Sequence, residues 1–278
     1  MIIEKFTKRV WLFFLICYSF STASAQTKDS SYLWSYTLPS EIVFVTSDAL
    51  QQIYVATEDG YILKFDKDGQ LLFEYSNKRL GKVGVLDASN PFNVLVYYPE
   101  LARIILLDRT LSELKTIPLF DLQIFEPKAV ALSNDNHIWV YDPINFQLKK
   151  ISRDGEVLFQ SKYLNQTTRI PLALTFLLER DNQLIASDTT KGIFIFDAFG
   201  QLKQQVEMKN VQQFQVEDNR LIYYKDREMY SYSLSTATAT SLQSFLDADF
   251  VFLLSDRCLV IRKNEIAAYT LNLNRSFR

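Results

Sequence analysis

A unit of about 42 residues recurs along this chain, and it constrains the fold more than any other feature. Each copy has a β-rich stretch, an acidic or Asn turn, a second such stretch, a tight turn, a third stretch ending in Asp or Ser, and a turn with Gly. The clearest copies are residues 53–69, 138–155 and 184–200. Weaker copies begin at Val94, Leu221 and Leu259. Such a period predicts a repeat fold in which each unit buries its faces against its neighbours.

Two ladders of anchor residues, most of them apolar, fix the register of the units. The second-strand anchors are spaced by 41, 44, 46, 37 and 38 residues and are Ile53, Val94, Ile138, Leu184, Leu221 and Leu259. The third-strand anchors are spaced by 42, 44, 45, 36 and 37 residues and are Phe65, Leu107, Ile151, Phe196, Tyr232 and Tyr269. The two series stay in register, because the two anchors of each unit are always 10 to 13 residues apart. We therefore expect each pair of anchors to lie on adjacent strands of one hairpin.

A further apolar stretch precedes each second strand, and several of these stretches are continuously apolar, as in strands buried on both faces. They are residues 41–46, 83–86, 128–132, 172–178, 213–216 and 250–254. No segment has sustained helical periodicity, so helices should be few. Four antiparallel strands in about 42 residues are one blade of a β-propeller. The chain is thus predicted to be all-β, a six-bladed propeller; a five-bladed count would leave the strands at 259–269 without a place.

The two ends of the chain predict how the ring closes. Only nine residues follow Tyr269, too few for a turn and a full fourth strand. A spare strand at residues 32–38 precedes the first blade and resembles the fourth strand of the first unit at residues 71–75. We predict that this N-terminal strand pairs in the last blade, which removes the open sheet edge of a linear array.

The best-preserved repeats carry a family resemblance. Residues 131–142 (ALSNDNHIWVYD) with residues 148–155 (LKKISRDG) resemble NHL-type repeats, and the quinoprotein-like propellers have a similar pattern. The resemblance implies a six-bladed propeller, but these propellers include lactonases, peptidase partners, receptors and scaffolds, so it implies no single activity. The blade-docking tryptophan of quinoprotein-like repeats is missing, since only Trp34 and Trp139 follow residue 25.

Residues 1–25 have the parts of a secretory signal peptide. A basic region with Lys5, Lys8 and Arg9 precedes an apolar run at residues 10–20, and small residues end at Ala25. The run is shorter than the ~20 residues of a membrane-spanning helix. Two alternatives remain open, an uncleaved anchor and acylation at Cys17. We expect a mature domain of residues 26–278, without a transmembrane segment, in the periplasm or outside the cell.

The composition of residues 26–278 excludes several classes of protein. With 27 basic and 31 acidic residues they carry a net charge of −4, which gives no basic footprint for nucleic acid. Cys258 is the one remaining cysteine and is expected to be a buried small hydrophobe. A glycine-rich phosphate loop, a dinucleotide fingerprint and a C-x-x-C pair are all missing from the sequence. We expect no cofactor.

The sequence offers few candidates for catalytic or metal-binding residues. His137 is the only histidine, and it falls in a turn without triad or metal partners. The carboxylates and amides of the second-to-third-strand loops are the other candidates: Asp59, Glu100, Asp142, Asn145, Asp188, Asp226 and Asn264. We expect Asp142 and Asp188 to cap hairpins rather than bind a cation. We predict no catalytic residue and no metal site; the alternative is a divalent-metal-dependent hydrolase of the lactonase type.

The same loop face collects residue types that are common in interfaces and sugar sites. The candidate binding residues are Tyr97, Tyr98, Tyr141, Phe146, Tyr224 and Arg227. The tyrosines could instead pack between blades. The sequence therefore predicts a non-enzymatic binding or scaffold module whose partner is a protein of the cell envelope or a glycan. A third possibility is a subunit of an envelope assembly attached to an outer-membrane barrel or transporter.

We expect signal peptidase to cleave after Ala25, because small residues at the first and third positions before the bond fit its pocket. Intact-mass analysis and N-terminal sequencing of the exported protein should give Gln26 as the first residue. The matched variant Ala25→Arg should retain residues 1–25. An uncleaved wild-type chain would indicate an anchor, and a lipid-bearing N-terminal Cys17 would indicate a lipoprotein.

Overall fold

The computed structural model describes residues 31–271, and the predicted signal peptide lies outside them. Within this range 24 strands form six four-stranded sheets, which confirms the six-bladed propeller. The strands are β1 (Tyr32–Thr37), β2 (Ile42–Ser47), β3 (Ile53–Thr57), β4 (Tyr61–Phe65), β5 (Leu71–Ser76), β6 (Val85–Asp87), β7 (Val94–Tyr98), β8 (Arg103–Leu107), β9 (Glu113–Pro118), β10 (Val130–Leu132), β11 (Ile138–Asp142), β12 (Gln147–Ile151), β13 (Val157–Gln160), β14 (Phe176–Arg180), β15 (Gln183–Asp188), β16 (Gly192–Asp197), β17 (Leu202–Val206), β18 (Gln215–Glu217), β19 (Arg220–Lys225), β20 (Glu228–Ser233), β21 (Thr238–Ser244), β22 (Phe250–Leu253), β23 (Arg257–Arg262) and β24 (Glu265–Thr270). Helical turns are short: two 3₁₀ turns at Pro99–Leu101 and Leu119–Leu122, and α1 at Leu164–Thr168.

Blades 1 to 5 are β2–β5, β6–β9, β10–β13, β14–β17 and β18–β21, and blade 6 is β22–β24 with β1. The first strands lie around the central channel and the fourth strands on the outside. Because neighbouring strands are antiparallel, the loops alternate between two ends of the ring. We call the upper end the one with the second-to-third-strand loops and the connections between blades. The lower end has the first-to-second and third-to-fourth turns.

The anchor ladders confirm the predicted register. In blades 1 to 5 each second-strand anchor is the direct cross-strand partner of its third-strand anchor, as in Ile53 opposite Phe65. In blade 6 the pairing is offset by one residue, since Tyr269 faces Cys258 and Leu259 faces Ala268. The spacing of 10 residues in this unit, the shortest of the six, accounts for the offset.

The core consists of six apolar clusters, one at each junction between neighbouring blades in the described part of the chain. Middle strands are covered on both faces; every residue of β3, β7 and β11 is buried. Outer strands are mostly half-buried or exposed, and in β13 and β17 the two classes alternate. This difference in burial explains why the second strands have continuous apolar sequences and the fourth strands do not.

Five of the six innermost strands are shorter than predicted, down to three residues in β6, β10 and β18, whereas β2 has the predicted length. The stretch predicted as a strand at residues 172–178 joins the sheet only from Phe176. Leu172 and Leu174 are still buried. Their segment is held by a side chain, because the Ala173 amide donates to Asp188 Oδ2 at 2.8 Å. The leucines of residues 172–178 were thus predicted correctly as buried, but the predicted strand was too long.

The predicted ring closure is confirmed. Strand β1 pairs antiparallel with β24 from Tyr32 opposite Tyr269 to Thr37 opposite Glu265. Directly after β1, the Leu38 amide donates to the Asn264 carbonyl at 2.8 Å, and Asn264 Nδ2 donates back to the Leu38 carbonyl at 2.7 Å. Leu38 itself is buried in the cluster between blades 6 and 1. The N-terminal segment therefore completes both a sheet and a junction.

Replacing Leu38 with Ala should lower the free energy of unfolding by about 2–5 kcal/mol, since it removes buried apolar volume at the closing junction. The matched control is Leu33→Ala on the same segment, where the side chain is 40% exposed and the change should stay within about 0.5 kcal/mol. Urea unfolding of residues 26–278 followed by circular dichroism measures both. Equal losses for the two variants would contradict closure through this segment.

Candidate functional site

Three of the six predicted binding residues lie inside the propeller. Tyr97, Tyr98 and Tyr141 end the second strands of blades 2 and 3, and at most 1% of each is exposed. The Tyr141 hydroxyl donates to the Leu172 carbonyl at 2.5 Å, which links blade 3 to the connection that enters blade 4. Burial raises the pKa of Tyr141 to about 12. These tyrosines pack between blades, an alternative that the sequence had left open.

The other three predicted residues reach the surface of the upper end. Phe146 and Tyr224 are half-buried, and Arg227 is exposed in the hairpin between β19 and β20. Phe146 has a φ of 50° and Arg227 a φ of 66°, so both occupy tight turns. The Tyr224 hydroxyl lies 2.8 Å from the Phe245 carbonyl and 3.0 Å from the Ala248 carbonyl. The ring of Tyr224 is therefore held by the connection between blades 5 and 6.

A group of exposed apolar side chains on the upper end escaped sequence reasoning. They lie in the loops of blade 2, of blade 3 and of the connection to blade 4, and we call them the apolar patch: Leu101 (45% exposed), Phe120 (65%), Ile144 (60%) and Tyr163 (48%). The Leu119 amide donates to the Ala102 carbonyl at 2.8 Å, which sets the second 3₁₀ turn beside the first. Leu119 is buried while its neighbour Phe120 points outward. Consecutive apolar residues in a connecting loop are the signal that could have revealed the patch.

The central channel contains two cavities, which share Phe44, Val45, Gln213 and Phe250. The lower cavity has about 380 Å³, and its walls combine apolar residues with polar and charged ones. Its charged lining residues are Asp48, Asp87, Glu179, Arg180 and Glu217. Partial burial and the neighbouring charge of Asp218 raise the pKa of Glu217, while Arg180 opposes the shift. The lower cavity thus holds one cation and four carboxylates on partly apolar walls.

The upper cavity has about 320 Å³ and lies between blades 5, 6 and 1. Its walls include Asn210, Gln212, Tyr224 and Asp249, besides the shared Gln213. Of the six predicted binding residues, Tyr224 is the one that borders it. The two cavities therefore differ in charge, because Asp249 is the one charged residue among those that line the upper cavity.

Asp142 and Asp188 occupy equivalent positions and cap their hairpins, as expected. Asp142 Oδ1 accepts the amides of Ile144 and Asn145 at 3.0 and 3.1 Å, and Asp188 Oδ1 accepts the equivalent amides in blade 4. Asp142 Oδ2 pairs with Lys149 Nζ at 2.7 Å, with both side chains buried. Burial alone would raise the pKa of Asp142, but the hydrogen bonds of Asn145 and Lys149 outweigh it and lower that pKa. The oxygens of these carboxylates are used to build turns.

The remaining chemical candidates are separated from one another. His137 lies at the lower end with Nδ1 3.1 Å from Asp135 Oδ1, and Asp135 also pairs with Lys150. Cys258 is buried, as predicted, and burial raises the pKa of its thiol to about 12. Among residues 31–271, no three or more His, Cys, Asp or Glu side chains are grouped so that they could hold a metal ion.

Comparisons with solved structures confirm the propeller. The catalytically inactive virginiamycin B lyase from Staphylococcus aureus with quinupristin has 13% identity and a TM-score of 0.64 over 86% of this chain and 98% of that one. A streptogramin B lyase has 14% identity and a TM-score of 0.58 over 87% and 98% of the chains. A structure described as the extracellular domain of a one-component system from B. thetaiotaomicron has 14% identity and a TM-score of 0.53, over 84% of this chain and 33% of that one.

At this level of identity the likeness shows the fold alone. No protein-family model matches the chain, and no curated protein sequence matches it. The functional argument therefore depends on the surfaces and cavities of this chain.

Asp142→Asn should lower the free energy of unfolding at pH 7 by about 3–5 kcal/mol, because Lys149 is left buried without its counter-charge. The pKa of Asp142 lies below its unfolded value, so the pair stabilises the fold above about pH 4. The difference between variant and wild type should shrink as the pH falls through the folded pKa.

The matched control is Asp154→Asn, which breaks an exposed pair with Lys115 (3.0 Å) and should cost less than about 1 kcal/mol. Urea unfolding between pH 3 and 7 measures both variants. A cost for Asp142→Asn no larger than that of the control would contradict a structural role for the buried pair.

Proposed function

We propose that this chain is an exported, non-enzymatic propeller that binds a protein of the cell envelope through its upper end. The apolar patch is the observation that carries the proposal. Isolated exposed apolar residues are ordinary, but a group of large ones on one end of consecutive blades is typical of an interaction surface. Phe120 packs edge-to-face on Phe125 at 5.1 Å, so the patch presents an ordered aromatic surface.

The charges around the apolar patch support a protein partner rather than a polyanion. The exposed charged residues of the neighbouring loops have mixed signs: Arg103, Asp121, Glu126, Lys128, Lys162 and Arg169. An apolar centre with a mixed polar rim is the usual anatomy of a protein interface. A nucleic acid or an anionic membrane would require a predominantly basic surface.

Export is supported by the signal-like residues 1–25 and by the use of this fold in an extracellular domain. Among the described residues, no helix has the length and apolar character needed to cross a membrane. A rigid ring suits a binding role, because closed blades present their loops with little loss of conformational freedom on association.

Affinity purification from solubilised envelope tests the proposal with residues 26–278 as bait. The double variant Phe120→Ser/Ile144→Ser should lose the co-purified partner, and its affinity for the purified partner should fall at least tenfold, since buried aromatic anchors dominate interface energy. The matched control Leu50→Ser/Phe199→Ser alters two equally exposed residues of the lower end and should retain the partner.

All four substituted positions are exposed, so the melting temperatures of both variants should stay within a few degrees of the wild type. Capture that is equally strong with the upper-end variant, or that is lost only with the control, would contradict binding through the apolar patch.

A further inference from the structure

We propose that the upper cavity is a binding site for an uncharged saccharide. This inference goes beyond the proposed function, because the cavity lies over blades 5, 6 and 1 whereas the apolar patch lies on the loops of blades 2 to 4. Its volume of about 320 Å³ lies in the range of small-molecule sites.

One wall of the cavity consists of three primary amides. Asn210, Gln212 and Gln213 belong to the connection between β17 and β18, and their side chains form no hydrogen bond within residues 31–271. Each primary amide offers two N–H donors and one carbonyl acceptor. Three such groups therefore face the cavity with nine unused hydrogen-bonding positions, counting one for each N–H and each carbonyl.

The connection that carries these amides is fixed. The backbone N–H of Asn210 donates to the Thr189 carbonyl at 2.7 Å, and the Ser187 hydroxyl donates to the Val211 carbonyl. Val211 itself is buried between blades 4 and 5. A segment anchored on both its backbone and its central side chain presents the amides without a backbone ordering cost, so that only side-chain rotamers are fixed at binding.

The remaining lining residues supply an acceptor and apolar surfaces. Asp249 Oδ2 accepts the Lys263 amide at 2.6 Å, so Oδ1 remains free to accept. Tyr224 is fixed by its hydroxyl, and Val43 and Phe250 add apolar surface. Asp249 is the only charged side chain among the lining residues, which favours a ligand without negative charge.

This combination fits the chemistry of a sugar ring. Each hydroxyl of a saccharide both donates and accepts hydrogen bonds, which primary amides and a carboxylate oxygen can satisfy together. The C–H faces of the ring need an apolar or aromatic surface, which Tyr224, Val43 and Phe250 provide. The lower cavity differs, because four carboxylates line it and the side chain of its Gln215 is already bonded to the Leu253 backbone.

Saturation-transfer-difference NMR on residues 26–278 tests the site with four probes: glucose, galactose, mannose and N-acetylglucosamine. At least one should receive saturation and bind with a Kd on the order of 1 mM, a typical weak affinity for a small ligand. The double variant Gln212→Ala/Gln213→Ala should weaken that binding at least tenfold. It leaves Asn210 in place, because the φ of 61° at that position suits Asn better than Ala.

The matched control is Gln183→Ala at the exposed start of β15 on the lower end, which should bind the sugar as the wild type does. The tripeptide Ala-Ala-Ala serves as a competing probe, since peptide groups could also use the amides. The proposal is overturned if none of the four sugars binds at 10 mM, if the double variant binds unchanged, or if the tripeptide displaces the sugar more strongly than an equal concentration of free sugar. The variant Phe120→Ser/Ile144→Ser should keep its sugar binding, so this proposal and the protein-binding proposal can fail separately.

Discussion

Burial of both faces of every blade is the constraint on which the rest of this structure depends. A single four-stranded sheet cannot cover the continuously apolar strands β3, β7 and β11, so each blade needs a neighbour on either side. Only a closed ring supplies two neighbours to all six blades. The pairing of β1 with β24 is thus required for the complete set of six interblade clusters.

Polar contacts fix the blades in register where apolar packing alone would let them slide. Lys64 is buried between blades 1 and 2, where Nζ donates to the Arg109 carbonyl at 2.7 Å and lies over the Tyr54 ring. Asp87 accepts the Leu132 amide from the next blade at 2.8 Å, and burial raises the pKa of this carboxyl. Such directional contacts add specificity to apolar packing. A rigid ring of this kind can present loops in a constant arrangement.

The sequence predicted the fold far better than the site, for a physical reason. Register follows from periodic apolar residues such as Ile53 and Phe65, which obey the same packing rule in every blade. Exposure at the end of a strand has no such rule. Tyr97 and Tyr141 fitted either a binding face or interblade packing, and they fill interblade space. Phe120, in a connection, was not among the predicted binding residues. The upper cavity could not be predicted from the sequence, because Asn210 and Asp249 come from connections to different blades and lie near each other only in the closed ring.

Two of the three units that are faint in sequence, blades 5 and 6, border the upper cavity together with the well-preserved blade 1. The connections that enter blades 5 and 6 carry Gln212 and Asp249, which line the cavity. A connection that served only to link blades would gain stability by burying apolar side chains against the ring. Unpartnered amides on a fixed backbone forgo that stabilisation. Departures from local consistency that bring no structural gain are expected at functional sites. The free amides of the upper cavity are such a departure, and the saccharide site proposed above would give them a role.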